Sequence, residues 1–284
     1  MKPGRVIETA LQLAGLQETP ADSGVIVDGQ DLRRVMFGID METPEIILAK
    51  QLGYDGVITH HPKGGKPMLD LHQVMENQID RMVQAGVPIN KAQKALADRR
   101  EEVERSYHVT NYDRAVAAAR LLEMPFVAIH TPADLLGEYI VQSHLDKRLG
   151  QVPRATLKDV INCLLEIPEY QNALVKPKIW VGREDSYAGR IWVTMAGGTG
   201  GGSKVAQAYF EAGVGTLVVM HMTEEVLRAV KQQGIGNVIV AGHLPSDSIG
   251  INCIIKALEK QGMEVTRMAG VVDPKKANPR RVRG

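Results

Sequence analysis

Short apolar runs bounded by glycine and proline alternate along this chain with longer stretches of helical period. Val6, Ile7, Ala10, Leu11 and Leu13 fall on one helical face, which predicts a helix over residues 3–14. Residues 25–27 and 35–40 read as strands. Thr43-Pro44-Glu45 reads as a helix start, with threonine as N-cap and proline in the first helical position, and Gly53 as its stop. A strand over 56–60 follows, and a strand–helix–strand unit implies parallel pairing. Residues 72–105 are expected to be mostly helical, their late charge run a solvated face with i,i+4 ion pairs. A helix over 113–122 leads into a strand over 126–130.

After Gly137 the pattern changes. Thr156 and Asp159 predict a capping box for a helix over 157–167. Strands are expected at 178–181, 190–195, 216–221 and 238–243, with helices after Lys204 and Thr223. A helix over 248–261 and a strand over 263–268 close the pattern. No short repeat is visible, but the two halves share a strand–helix–strand–His arrangement.

Three apolar runs end in histidine: Val57-Ile58-Thr59-His60-His61, Phe126-Val127-Ala128-Ile129-His130 and Val238-Ile239-Val240-Ala241-Gly242-His243. Asp134 and Asp247 stand four residues beyond His130 and His243. In open α/β sheets, ligands bind beyond the carboxyl ends of the strands, so these six residues are candidates for one divalent-metal site. A structural zinc site would more often carry cysteines at fixed spacing, so a reactive, partly open site is expected. Adjacent side chains on a strand point to opposite faces. His60 and His61 therefore serve two ions, or His61 turns back as the strand ends before Pro62. Two divalent ions set against two aspartates and a hydroxide leave about one positive charge, which favours an anionic substrate. Each residue also has a plainer reading. Asp134 fits the third position of a helix, Ser246 and Asp247 fit a helix cap, and strand-end histidines are common in cores. What sets this chain apart is their recurrence at three strand ends.

Two α/β lobes are expected, and the metal motif's need for residues 60 and 243 together implies that the last strand returns to the first. The first would comprise 1–136 and 245–284, with the strand at 263–268 returning to it; the second, 137–244, would carry the glycine-rich loop. In that loop the backbone N–H groups of Gly198, Gly200, Gly201 and Gly202 could meet an anion at a helix N-terminus. The order Gly202-Ser203-Lys204 is not that of a Walker loop, however, and a tight packing turn is the plainer explanation. His221, a fourth strand-end histidine, and Glu225 are candidates for moving protons, and Asp40 could face the same cleft. His72, His108 and His144 lie in or beside polar helices and receive no role.

Composition narrows the partners. Across 284 residues, 44% hydrophobic and 24% charged content is that of a globular protein, and a formal net charge of +1 gives no bulk attraction to nucleic acid or acidic membrane. No apolar stretch approaches the roughly 18 residues of a membrane helix, and Glu8 and Gln12 interrupt any secretory signal. Cys163 and Cys253 form no Cys-x-x-Cys pair and read as buried thiols of a reducing compartment, so the expected location is cytoplasmic. The basic residues after Asp273 read as a mobile, solubilising tail.

His60-His61-Pro62 after an apolar strand, the His130–Asp134 pair, the Gly-Gly-x-Gly-Gly loop and Gly242-His243-x-x-Ser246-Asp247 together resemble the NIF-three family, NGG-one-interacting-factor-three-like proteins. Bacterial members are described as GTP cyclohydrolase I type 2 homologues. The resemblance spans residues 1–270 and implies an α/β, two-lobed fold with mixed sheets flanked by helices. It also implies a dinuclear centre of zinc, iron or manganese lined by His60, His61, His130 or Asp134, His243 and Asp247, and a ring-like homohexamer. The family's last ligand is usually glutamate where this chain has Asp247, and Met220–Glu225 replaces the family's Gly-Asp-Leu-Lys-Tyr-His. The pocket wall therefore differs and substrate identity does not carry over. The expected activity is that of a metal-dependent hydrolase acting on a nucleotide or other phosphorylated small molecule. The competing reading is a non-catalytic metal-binding regulator or metallochaperone.

Overall fold

The computed structural model describes residues 1–275, so the basic tail at 276–284 lies outside the described residues. The chain begins with α1 (Pro3–Ala14), β1 (Gly24–Val27), β2 (Arg34–Gly38), α2 (Thr43–Gln51) and β3 (Gly56–Thr59). Five helices follow: α3 (Gly65–Leu69), α4 (Leu71–Val74), α5 (Asn77–Gln84), α6 (Ile89–His108) and α7 (Arg114–Leu121). Then come β4 (Phe126–Ala128), α8 (Thr131–Leu149), α9 (Leu157–Leu164) and α10 (Pro168–Asn172). The remaining elements are β5 (Lys178–Val181), β6 (Ile191–Thr194), α11 (Ser203–Glu211), β7 (Thr216–Val219), α12 (Glu224–Gln233), β8 (Asn237–Val240), α13 (His243–Lys260) and β9 (Glu264–Met268). The described chain divides into two compact units. One comprises residues 1–74, 101–136 and 247–271, and the other comprises 75–100, 137–246 and, of the described residues, 272–275.

The first unit holds a five-stranded mixed sheet in the order β1-β4-β3-β2-β9. β3 pairs in parallel with both β2 and β4, β9 joins β2 in parallel, and β1 runs antiparallel to β4 at one edge. Strand side chains alternate between faces. Val35, Phe37, Ile58 and Val127 enter one core with α1 and the Ile251, Ile254, Ile255 and Leu258 face of α13. Met36, Val57 and Phe126 enter the other with Ile46 and Ala49 of α2 and Ala115 and Ala119 of α7. Each large aliphatic so buried contributes about 1.5–3 kcal/mol. Burial on both faces explains why these strands read as unbroken apolar runs.

The second unit holds a four-stranded sheet in the order β5-β8-β7-β6, again with one antiparallel edge strand, β5. The order β1-β4-β3-β2 is thus repeated as β5-β8-β7-β6. The shared arrangement visible in the sequence is therefore a repeat of topology. By that repeat β4 with its His130-x-x-x-Asp134 sequel matches β8 with His243-x-x-x-Asp247. Two side chains of α8 close the open edge at β6. Gln142 Oε1 accepts from Val193 N–H at 2.8 Å, and Glu138 Oε2 accepts from the N–H groups of Met195 and Ala196 at 2.7 and 2.9 Å. Arg81 pairs with the other oxygen of Glu138. An edge satisfied by side chains offers no template to a further strand.

Several boundaries differ from those expected. Glu42, not Thr43, is the N-cap of α2, because the Glu45 carboxylate reaches back to accept the Glu42 N–H at 2.8 Å. The stretch 72–105 breaks into α4, α5 and α6, with Gly86 at positive φ and Pro88 between the last two. α9 stops at Leu164, short of the expected 167, where Pro168 opens α10. Near the candidate site α8 starts where Thr131-Pro132-Ala133-Asp134 suggests, whereas α13 starts earlier than expected. α8 runs unbroken through Gly137, and α13 begins at His243 rather than Ser248. Pro132 and Pro245 fall in their first turns, where the N–H groups have no intrahelical partner in any case. Among the described residues no helix is long and apolar enough to cross a membrane.

Candidate metal centre

β3 and β4 lie side by side in parallel, so their carboxyl ends deliver His60, His61 and His130 to one edge of the first sheet. β3 ends at Thr59, before both histidines. The Thr59 hydroxyl donates to the His61 carbonyl at 2.8 Å, and the turn leaves both imidazoles on one side, with ring centroids 4.9 Å apart. His61 therefore turns back, as one of the two sequence alternatives required. The His130 ring stands 4.7 Å from His60 and 5.5 Å from His61. Asp134 comes from the first turn of α8 and Asp247 from the second turn of α13. Asp247 is thus inside its helix and does not cap it. α8 and α13 meet at bare backbone, since a Cβ on Gly250 would lie 1.9 Å from the Ala133 carbonyl oxygen. That close crossing sets the approach of the two aspartates.

All three histidines are held in the same way. His60 Nδ1 lies 3.0 Å from the Ile129 carbonyl, His61 Nδ1 2.9 Å from Asp40 Oδ1, and His130 Nδ1 2.8 Å from Asp22 Oδ2. A carbonyl or ionised carboxylate can only accept, so each Nδ1 carries a proton, and a ring that gives up its second proton has its lone pair at Nε2. Those Nε2 atoms face the two carboxylates. His60 Nε2 is 3.2 Å from Asp134 Oδ1 and 3.8 Å from Asp247 Oδ1, His61 Nε2 is 3.6 Å from Asp247 Oδ2, and His130 Nε2 is 3.6 Å from Asp134 Oδ2. His60, His130, Asp134 and Asp247 are buried, while His61 and Asp40 are partly open to solvent.

The electrostatics follow from burial and crowding. Burial pushes the Asp247 carboxyl up to about 7, with Asp134 adding to the rise and His60 opposing it. Burial drives the His61 imidazole down to about 4 against the pull of Asp40. It also opposes a charge on His130, but Asp134 and Asp22 outweigh it and raise that ring to about 9. His60 is raised in the same way by Asp247 and Asp134 despite its full burial. The hydrogen bond from His61 holds Asp40 well below the usual carboxylate range, helped by Lys63 at 2.6 Å.

The residues fit a divalent ion. Buried His60 Nε2 and Asp134 Oδ1 face each other at 3.2 Å, out of line for a well-formed hydrogen bond. In the metal-free chain protons held by His60, His130 and Asp247 offset the crowding of buried carboxylates, and a divalent cation would take their place. The donor set is all nitrogen and oxygen, which suits zinc, iron or manganese. One ligand atom each from His60, His61 and His130, and one each from His60, Asp134 and Asp247, lie within 4.8 Å of one another. Asp22 was not among the residues singled out from sequence, yet it is fully buried. It accepts from the Thr131 hydroxyl at 2.7 Å as well as from His130, and the neighbouring Ser23 hydroxyl accepts the His130 N–H at 3.0 Å. Its one sequence signal is an acid in the turn before β1, which reads as ordinary turn chemistry.

The remaining candidates lie in the second unit. His243 is the first residue of α13, the helix that carries Asp247 four residues on, and its ring is 4.7 Å from that of His221. His221 and Glu225 are exposed, and Glu225 sits in the first turn of α12, where a negative charge complements the helix N-terminus. In the glycine loop, Gln78 Nε2 donates to the carbonyls of Gly197 and Thr199, both at 2.7 Å. A Cβ on Gly201 would meet Gln78 Oε1 at 2.3 Å. Gly198 and Gly202 have positive φ, and a Cβ on Gly200 would meet nothing. Packing around Gln78 and left-handed backbone thus account for most of these glycines.

An α/β chain with two mixed sheets and a buried His/Asp cluster that could hold metal is the class these features define. Among solved structures, this chain is similar to a NIF3 superfamily protein from Sphaerobacter thermophilus. The two share 39% identity and a TM-score of 0.92, over 95% of this chain and 98% of that one. The chain belongs to the NIF3 superfamily. Reduced HcgD from Methanocaldococcus jannaschii (14% identity, TM-score 0.55, 94% and 97% of the chains) shares the fold. So does TTHA1606 from Thermus thermophilus (17%, 0.54, 96% and 98%). No family model and no curated protein matches the chain.

Proposed function

We propose that the protein binds two divalent metal ions at the His/Asp cluster and hydrolyses a nucleotide or other phosphorylated small molecule there. The observation that carries this reading is the common pose of His60, His61 and His130, each with Nδ1 tied to an acceptor and Nε2 turned towards Asp134 and Asp247. Metal-ligating histidines characteristically donate their other ring N–H in this way. Three imidazoles and two carboxylates exceed the needs of one tetrahedral ion, which supports two. His243 is proposed as a sixth ligand, since i and i+4 positions share a helix face with Asp247. Divalent ions in such a site supply Lewis-acid polarisation and a nucleophile at neutral pH. Asp22 and Asp40 orient the imidazoles, and His61 marks the side open to solvent in the first unit. His221 is proposed to move protons. The two buried aspartates only half-neutralise two divalent ions, which favours an anionic substrate.

A homohexamer and a cytoplasmic location complete the proposal. The first rests on the family resemblance, and the second on two cysteines that form no disulfide. One observation favours a non-catalytic metal-binding role instead: of the five clustered residues only His61 is partly open. A phosphoester and nucleotide hydrolysis screen, run on a sample whose metal content is measured, separates the two. Metal-dependent turnover lost in His61→Ala supports the hydrolase. A fully metal-loaded protein that turns over none of the panel supports the binding protein.

A further inference from the structure

We propose that His144, Cys163 and Glu166 form a separate, thiolate-containing site in the second unit that takes zinc or another thiophilic divalent ion. One ligand atom from each lies within 4.8 Å of the others. His144 stands on α8, Cys163 in the last turn of α9, and Glu166 two residues past its end. His144 Nε2 is 3.0 Å from the Cys163 carbonyl oxygen and 3.2 Å from Glu166 Oε2. Arg148, one helical turn after His144, holds the other Glu166 oxygen at 2.6 Å and so fixes the carboxylate facing the imidazole.

The chemistry of the trio is complementary. The cysteine is buried, while the histidine and glutamate side chains are partly exposed, so an ion has a route in from solvent. Tetrahedral zinc bonds of about 2.0–2.3 Å place ligand atoms about 3.5 Å apart, within reach of a rotation of surface Glu166. Thiolate, imidazole and carboxylate together select a borderline-soft ion over magnesium or calcium. On binding, the thiol proton leaves to solvent, and the imidazole proton moves from Nε2 to Nδ1 as Nε2 takes the ion. Burial and Glu166 push the thiol pKa up against the pull of Arg148, so the ion itself must displace the thiol proton.

This site is independent of the cluster in the first unit, whose donors include no sulfur, and cobalt distinguishes the two. A Co²⁺ titration of the full chain should develop a near-ultraviolet thiolate-to-cobalt charge-transfer band. That band should vanish in Cys163→Ser and persist in Cys253→Ser. In Glu166→Gln, a change at an exposed residue that folding tolerates, the cobalt dissociation constant read from the band should rise about tenfold or more. The proposal is overturned if no band appears or if the band survives Cys163→Ser. An unchanged constant in Glu166→Gln would overturn it as well.

Discussion

Asp22 shows how much of a metal site can rest on a residue that touches no metal. Its buried carboxylate holds the His130 Nδ1 proton and, through Thr131, the first turn of α8 that carries Asp134. Asp22→Ala should weaken metal binding about 10–100-fold by freeing the ring to change tautomer, as calorimetric titration will measure. An unchanged affinity would show that the ring is held by packing alone. The same residues set a pH dependence. In the metal-free chain the folded His130 pKa of about 9 lies above its ordinary 6.5, so its stabilisation is complete below pH 6.5 and is lost as pH rises through 9. Asp247, raised to about 7 from 3.8, likewise favours the folded state at low pH and loses that contribution as pH rises through 7. Metal competes with both protons, so its binding should release protons near neutrality. The metal-induced rise in Tm should therefore grow from pH 6.5 to 9. A rise that is flat across this range would mean that His130 and Asp247 are not displaced from their protons by metal.

At the scale of elements, the crossing of α8 and α13 is the most exacting feature. Gly250→Ala places a methyl against the Ala133 carbonyl, where backbone cannot yield without moving one helix. It should cost about 1–3 kcal/mol in urea denaturation and lower metal occupancy, because the two aspartates ride on the separated helices. Full metal occupancy in a destabilised Gly250→Ala chain would uncouple the crossing from the site. Much of this arrangement was legible in the sequence. His60, His61 and His130 stood out because parallel strands buried on both faces read as apolar runs with abrupt polar ends. Asp134 and Asp247 stood out by their four-residue spacing from histidine. The start of α13 was hidden by Pro245, which looks like a breaker until it is known to lie in a first turn. Asp22 was hidden because its partner lies 108 residues away, a relation that no local pattern carries. Nothing local marks His144, since a lone histidine on a polar helix gives no sign of the thiol and carboxylate that the next helix brings to it.

The whole molecule belongs to the NIF3 superfamily, and its proposed assembly is open to direct measurement. Light scattering should give a mass about six times 31.1 kDa, as a closed ring requires. A monomer at micromolar concentration would remove the ring and any size filter on substrates. The central claim is that the His/Asp cluster holds two divalent ions. Its most direct test is elemental analysis after loading with manganese and desalting, in a Cys163→Ser background that silences the thiolate site. The account predicts about two ions per chain, a large loss in His60→Ala and Asp247→Ala, and a smaller loss in Asp247→Glu, which keeps the charge. A parent chain that retains no more manganese than Asp247→Ala would contradict it.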